Sequence, residues 1–187
     1  THALEYYTGY LIELSLSVDN LFVFILIFQY FSVPAIAQPK VLKWGIIGAI
    51  VLRGIMIALG AILLARFHWI IYVFGGILIV TGIRMFRSGG QELHPEKNPV
   101  VRLAKKVLPI EAGYDEDRFT VRNVQGKLFF TPLVLVVLMV EWSDLVFAID
   151  SIPAIFAVTN DPFIVFSSNV FAILGLRALY FVLAGAM

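Results

Sequence analysis

Five carboxylates lie in stretches otherwise apolar enough to enter a bilayer: Glu13 and Asp19 near the start, and Glu141, Asp144 and Asp150 within the run 133–153. A charge at bilayer depth costs at least about 2.5–3.5 kcal/mol on insertion scales. So many acids need water, a cation or an arginine to meet them. Two arginines, Arg53 and Arg177, each stand near the middle of an apolar run that follows an acidic one. If each neutralises one acid, three acids are left over, and these repel unless protonated or bound to a cation. Three readings are open: a path for a divalent cation, a path for protons or monovalent ions, or a set of structural ion pairs. The first leads, because intramembrane acids mark function by default.

Ligand chemistry narrows the cation. Beside the carboxylates, the candidate ligands are the amides of Asn20 and Asn169 and the hydroxyl of Ser151, all oxygen donors. Oxygen-only sets suit manganese, calcium or magnesium. His2, His68 and His94 fall at helix ends or in loops, which disfavours zinc and copper. Cysteine is absent, so disulfides and thiolate ligands are excluded. No nucleophile–base pair, phosphate loop or metal–histidine motif occurs, so neither an enzyme nor a bound cofactor is expected. A net charge of +1 without a basic face gives no case for nucleic acid.

Spacing then tests whether the acids can converge. On a helix of about 3.6 residues per turn, Glu13, Ser17 and Asn20 share one stripe, and Asp144, Ala148 and Ser151 share a matching one. Glu141 and Asp144 are neighbours three apart. Asp19 and Asp150 lie about a third of a turn off their stripes. Pro153 removes the hydrogen bond to the Ile149 carbonyl and is expected to open its helix near Asp150; nothing comparable stands near Asp19.

The elements that position these residues are membrane helices. The chain is 60% hydrophobic and 14% charged, against about 25% charged in soluble domains. Spans of roughly 20 apolar residues are expected at about 7–31, 44–64, 69–86, 131–153 and 162–183. Trp44, Trp69, Tyr72 and Tyr180 stand near proposed ends, as interfacial aromatics do. Lysine and arginine concentrate in 32–43 and 84–130, which puts the 32–43 and 88–130 connections in the cytoplasm. Within 88–130, Asn98-Pro99 reads as the cap and first turn of a short helix over 100–108, lying on the anionic inner leaflet. Residues 119–130 read as a β-hairpin turning at a glycine. Asp161-Pro162 reads as an N-cap and first-turn pair. Gly45, Gly48, Gly75 and Gly76 read as close-packing positions.

Both arginine helices follow acidic helices, and Asp19-Asn20 matches Asp150-Ser151, so a repeat is implied. The expected fold is an all-α integral membrane protein, a polytopic bundle of inverted three-helix repeats with a short cytoplasmic segment. Residues 1–87 form the first repeat, 88–130 the connection, and 131–187 a second, two-helix repeat. The abrupt ends in apolar surroundings predict a piece of a longer protein. No signal-peptide pattern precedes the first helix, where Glu5 interrupts.

The blocks Ser15-Leu16-Ser17-Val18-Asp19-Asn20 and 140–157, then Asp161-Pro162-Phe163-Ile164-Val165 and 168–181, resemble the TerC family of membrane proteins along nearly the whole chain. The resemblance implies membership of the LysE-like transporter group. It also implies manganese export in several members and tellurite resistance in others. The family's motif positions carry over to Glu13, Asp19 and Asn20, and to Glu141, Asp144 and Asp150, with Ser151 where the first half has Asn20. These six would line the metal path. Arg53 and Arg177 would be intramembrane charge partners, and Ser151 and Asn169 further ligands. The expected partners are the lipid bilayer, the divalent cation, protons as coupling ion, and further copies or other membrane proteins. The alternative is a membrane scaffold that recruits partners through 88–130 under metal or tellurite stress.

Overall fold

Helices occupy all five expected positions. In the computed structural model they are α1 (His2–Tyr30), α2 (Gln38–Arg66), α3 (Ile70–Arg87), α5 (Leu133–Phe156) and α6 (Pro162–Ala186). The structure describes residues 2–87, 98–110, 113–122 and 126–186; the side chains at 19, 84–87, 177, 181 and 183–186 lie outside that description. By length and composition α1, α2 and α6 are long and apolar enough to cross a membrane. The apolar part of α3 is shorter, Ile70–Ile83. The 24 residues of α5 carry Glu141, Asp144 and Asp150.

The remaining elements are α4 (Pro99–Val107) and a two-stranded antiparallel sheet of β1 (Thr120–Arg122) and β2 (Leu128–Phe130). Its register pairs Val121 with Phe129, and Gly126 takes the positive φ of 76° that favours glycine. Both match the sequence. Asn98 caps α4, its side chain accepting from the Val100 and Val101 amides. Asp161 caps α6 in the same way, accepting from Phe163 and Ile164.

The chain divides into two compact units, each drawn from separate stretches. The first comprises Thr1–Leu21, Ala49–Gln91 and Asp144–Met187. Its core is Ile57, Ala148, Ile152, Ile155, Phe156 and Val165, with Phe74 stacked on Phe156 at 6.4 Å between ring centres. In lipid, helix association rests on such packing and on polar contacts rather than on apolar desolvation. Pro153 lies inside α5, which continues unbroken to Phe156. The expected opening near Asp150 is therefore absent. One lost backbone bond is tolerated where Ile152, Ile155 and Phe156 pack the same turn into the core. A methyl group added at Gly75 or Gly76 would meet nothing within 4 Å, so close packing is not their role within this unit. Tyr180 is buried rather than interfacial, whereas Trp44, Trp69 and Tyr72 are exposed.

The second unit comprises Phe22–Gly48 and Glu92–Ser143. It holds the end of α1, the start of α2, α4, the sheet and the start of α5. Helix α1 ends in a Schellman motif: Ser32 N donates to Gln29 O at 3.0 Å and Val33 N to Phe28 O at 2.9 Å. Ser32 sits at the left-handed position, φ 48°. The connection is stitched down. Tyr114 donates its hydroxyl to the Phe31 carbonyl. Lys40 pairs with Asp117 at 3.0 Å and lies over the Phe119 ring. Thr131 donates to the Arg118 carbonyl at 2.7 Å. Gly45 and Gly48 are the close-packing positions the sequence indicated. A Cβ at Gly45 would stand 2.9 Å from Val140, and one at Gly48 would fall on the Glu141 carboxylate.

Candidate functional site

The centre of the first unit is a buried arginine among oxygens. Arg53 on α2 is 1% exposed. Its Nε donates to Asp144 Oδ2 at 3.0 Å and its Nη2 to Asp144 Oδ1 at 2.8 Å, a bidentate pair with α5. Its Nη1 donates to the Glu13 carboxylate on α1, to Asn169 Oδ1 on α6 at 2.6 Å and to Ser151 Oγ at 3.5 Å. Asn169 turns its amide nitrogen to the other Glu13 oxygen at 3.1 Å. Ser17, one turn along α1, donates to Glu13 at 2.9 Å.

The stripes read from the sequence explain this convergence. Glu13 and Ser17 lie on one face of α1, Asp144 and Ser151 on one face of α5, and each face meets Arg53. A planar guanidinium has donors enough for one bidentate carboxylate and further acceptors, which a lysine lacks. Taking such charges from water costs several kcal/mol per ion, recovered only by tight pairing and satisfied lone pairs. Among the described residues the pairing is unequal: two buried carboxylates, Glu13 and Asp144, face one arginine. Asn20, the third member of the α1 stripe, is buried, and its Oδ1 has no hydrogen-bond partner among the described residues. An orphaned buried acceptor costs about 1–3 kcal/mol, and such an atom calls for a reason, an ion that comes and goes being one.

Asp150, a third of a turn off the stripe, accepts from the Thr81 hydroxyl on α3 at 2.9 Å. Glu141 belongs to the second unit, where its carboxylate fills the space that Gly48 leaves open. The side chains of Asp19 and Arg177 lie outside the described residues. Among the described residues no group of three or more His, Cys, Asp or Glu side chains is gathered to hold a metal. The oxygens that suit a hard cation are those of Glu13, Asp144, Asn169 and Ser151. Arg53 takes both Asp144 oxygens, one Glu13 oxygen, Asn169 Oδ1 and Ser151 Oγ, and the Asn169 amide takes the other Glu13 oxygen, so guanidinium and metal exclude one another at the atoms Arg53 holds.

Two hydroxyls that sequence reasoning left without a role, those of Ser17 and Thr81, prove to hold acids. Ser17 is legible as a donor, one turn from Glu13 on the same stripe; Thr81, on another helix, carries no such signal. A second polar cluster joins Thr159, which donates to Glu5 at 2.9 Å and accepts from the Asp161 amide at 3.2 Å.

A family model described as the integral membrane protein TerC family matches residues 1–187. An uncharacterized membrane protein of Myxococcus xanthus, STKORF319, is 56% identical over 185 residues, covering 98% of this chain and 57% of its own. An Escherichia coli (strain K12) protein named as a candidate membrane-bound redox modulator, Alx, is 54% identical over 183 residues, covering 98% and 57%. An uncharacterized membrane protein of Rickettsia felis is 49% identical over 183 residues, covering 98% and 60%. The chain thus spans less than two thirds of the length of each of these relatives. No solved structure matches it significantly.

Proposed function

This chain belongs to the TerC family of integral membrane proteins, and from that premise we propose that it forms the core of a secondary transporter exporting a divalent cation, manganese first among them. The observation that carries the reading is that, among the described residues, two buried carboxylates face one arginine, with the amide oxygen of Asn169 and the hydroxyl of Ser151 beside them. Two carboxylates facing one arginine attract a cation, and carboxylates, amide and hydroxyl oxygens are hard ligands. In the proposed cycle the arriving ion takes Glu13 and Asp144 and Arg53 withdraws. When the ion leaves, Arg53 returns and neutralises the carboxylates. Protons are the proposed counter-ions, because carboxylates trade a metal for protons. Asp19, Asn20, Asp150 and Glu141 are proposed as further cation ligands. Arg177 is proposed as a second intramembrane charge partner that holds a carboxylate while no ion is bound.

The proposal extends to architecture and place. Helices α1–α3 would be one repeat and α5–α6 part of an inverted second one. The membrane would be a bacterial inner membrane, with 88–130 cytoplasmic. We assign no enzymatic step. A redox effect of the kind named for the Escherichia coli relative would reach this region through its ions, since these 187 residues hold no cysteine for thiol chemistry.

The test is ion movement in proteoliposomes carrying the full chain, with manganese, calcium and magnesium in competition. Manganese flux is expected, and Asp144→Asn and Asp150→Asn are expected to abolish it. If both variants carry manganese as the parent chain does, the carboxylate path is wrong. The scaffold reading draws on the stitched connection between Tyr114, Phe31, Lys40 and Asp117. It predicts that function survives loss of Asp144 and fails when the exposed Arg122 and Lys127 are neutralised.

A further inference from the structure

Helix α4 divides into three arcs. One is packed inward: Val101 and Ala104 are buried within the second unit. The second is cationic, with Arg102, Lys105 and Lys106 all exposed and no acidic residue in the helix. The third is apolar and uncovered, with Leu103 64% and Val107 69% exposed. Four residues apart, these two side chains form a ridge along the helix. Lys106 borders that ridge, with Arg102 and Lys105 further round.

A face that exposes an apolar ridge beside three cations is matched by an anionic lipid surface, whose phosphates meet the cations and whose acyl boundary meets the ridge. We infer that α4 seats on an anionic phospholipid surface, with Leu103 and Val107 entering the acyl boundary and Arg102, Lys105 and Lys106 reaching the phosphates. The cationic stems bury along the boundary while their heads stay at headgroup level. Two acids of the same connection are already paired, Asp117 with Lys40 and Asp115 with Arg118. The helix begins at a capped Asn98 and is packed through Val101 and Ala104, so the ridge is preformed. The sequence alone indicates a surface helix. The structure decides which side chains enter the lipid, because it shows which are already used against the protein. Ion transport is not required for the inference to hold.

The absence of cysteine makes the test direct. Val107→Cys, labelled with the fluorophore NBD, is reconstituted in the full chain. The liposomes are phosphatidylcholine alone, or phosphatidylcholine with phosphatidylglycerol, each with a shallow spin-labelled lipid as quencher. Quenching is expected with phosphatidylglycerol and is expected to fall as salt rises toward 1 M, where charges are screened within about 3 Å. Arg102→Gln/Lys105→Gln/Lys106→Gln should weaken the seating by roughly a hundredfold, at the usual strength of three surface cations. Arg102→Lys/Lys105→Arg/Lys106→Arg should keep it, which separates lost charge from lost folding. A label unquenched in every liposome would place the ridge in water and overturn the inference. Equal quenching with and without phosphatidylglycerol, insensitive to salt, would overturn it too, since the cations would then be idle.

Discussion

Removing Arg53 is the sharpest probe of the buried centre. Arg53→Gln takes away the cation that holds both oxygens of Asp144 at 3.0 and 2.8 Å and also pairs with Glu13. Both carboxylates stay buried, at 4% and 0% exposure. Deleting one partner of a buried pair costs about 3–5 kcal/mol, chiefly because the other charge is stranded. For a chain of this size about 1 kcal/mol moves the melting temperature by 2–4 °C, so the expected drop is roughly 6–20 °C. Asp144→Asn behaves differently. It leaves Glu13 and Arg53 as a balanced pair and loses charge-assisted hydrogen bonds, at about 1.5–3 kcal/mol. The combination is the decisive case. In Arg53→Gln/Asp144→Asn, Glu13 is the one charged group left at this centre among the described residues, so adding the second change to the first should raise the melting temperature. Such a reversal of sign is what direct coupling produces. The assay is tryptophan fluorescence melting of the purified chain in detergent. If Arg53→Gln melts within about 2 °C of the parent, a loss of under 1 kcal/mol, the charge argument fails. It fails equally if Asp144→Asn lowers the melting point further in the Arg53→Gln background.

Three more outcomes are expected. Gly48→Ala drives a methyl onto the Glu141 carboxylate and should destabilise by about 1–3 kcal/mol; Glu141→Ala in the same chain should recover much of that loss in the same melting assay. Ser32→Gly should stabilise by roughly 0.5–1 kcal/mol. Relief of about 1–2 kcal/mol at a left-handed position exceeds the entropy that glycine adds to the unfolded chain. Burial pushes the Tyr114 hydroxyl above its ordinary value of 10.0, so its donation to the Phe31 carbonyl is complete below about pH 10 and is lost as pH climbs through the raised value. Melting followed from pH 8 to 11 should therefore show an alkaline loss in the parent that Tyr114→Phe lacks.

The membrane class of the protein and most of its elements were legible in the residues alone. Long apolar runs, the Asn98-Pro99 and Asp161-Pro162 caps and the glycine turn act over one or two turns of chain, so each announces itself locally. The stripe of Glu13 and Ser17, and that of Asp144 and Ser151, were also local, because helical periodicity settles which residues share a face. Which stripe meets which arginine was not local. Arg53 lies 40 residues from Glu13 and 91 from Asp144, and only packing of α1, α2, α5 and α6 brings them together. The same packing turns Asp150 toward Thr81 and assigns Gly48 to make room for Glu141. It also keeps α5 whole across Pro153, where backbone chemistry alone argued for an opening. Composition therefore determined that acids stand in apolar helices and require a positive partner. Tertiary structure decided that at Glu13 and Asp144 this partner is Arg53, because a buried charge is satisfied by whatever lies within hydrogen-bond reach, however distant in the chain.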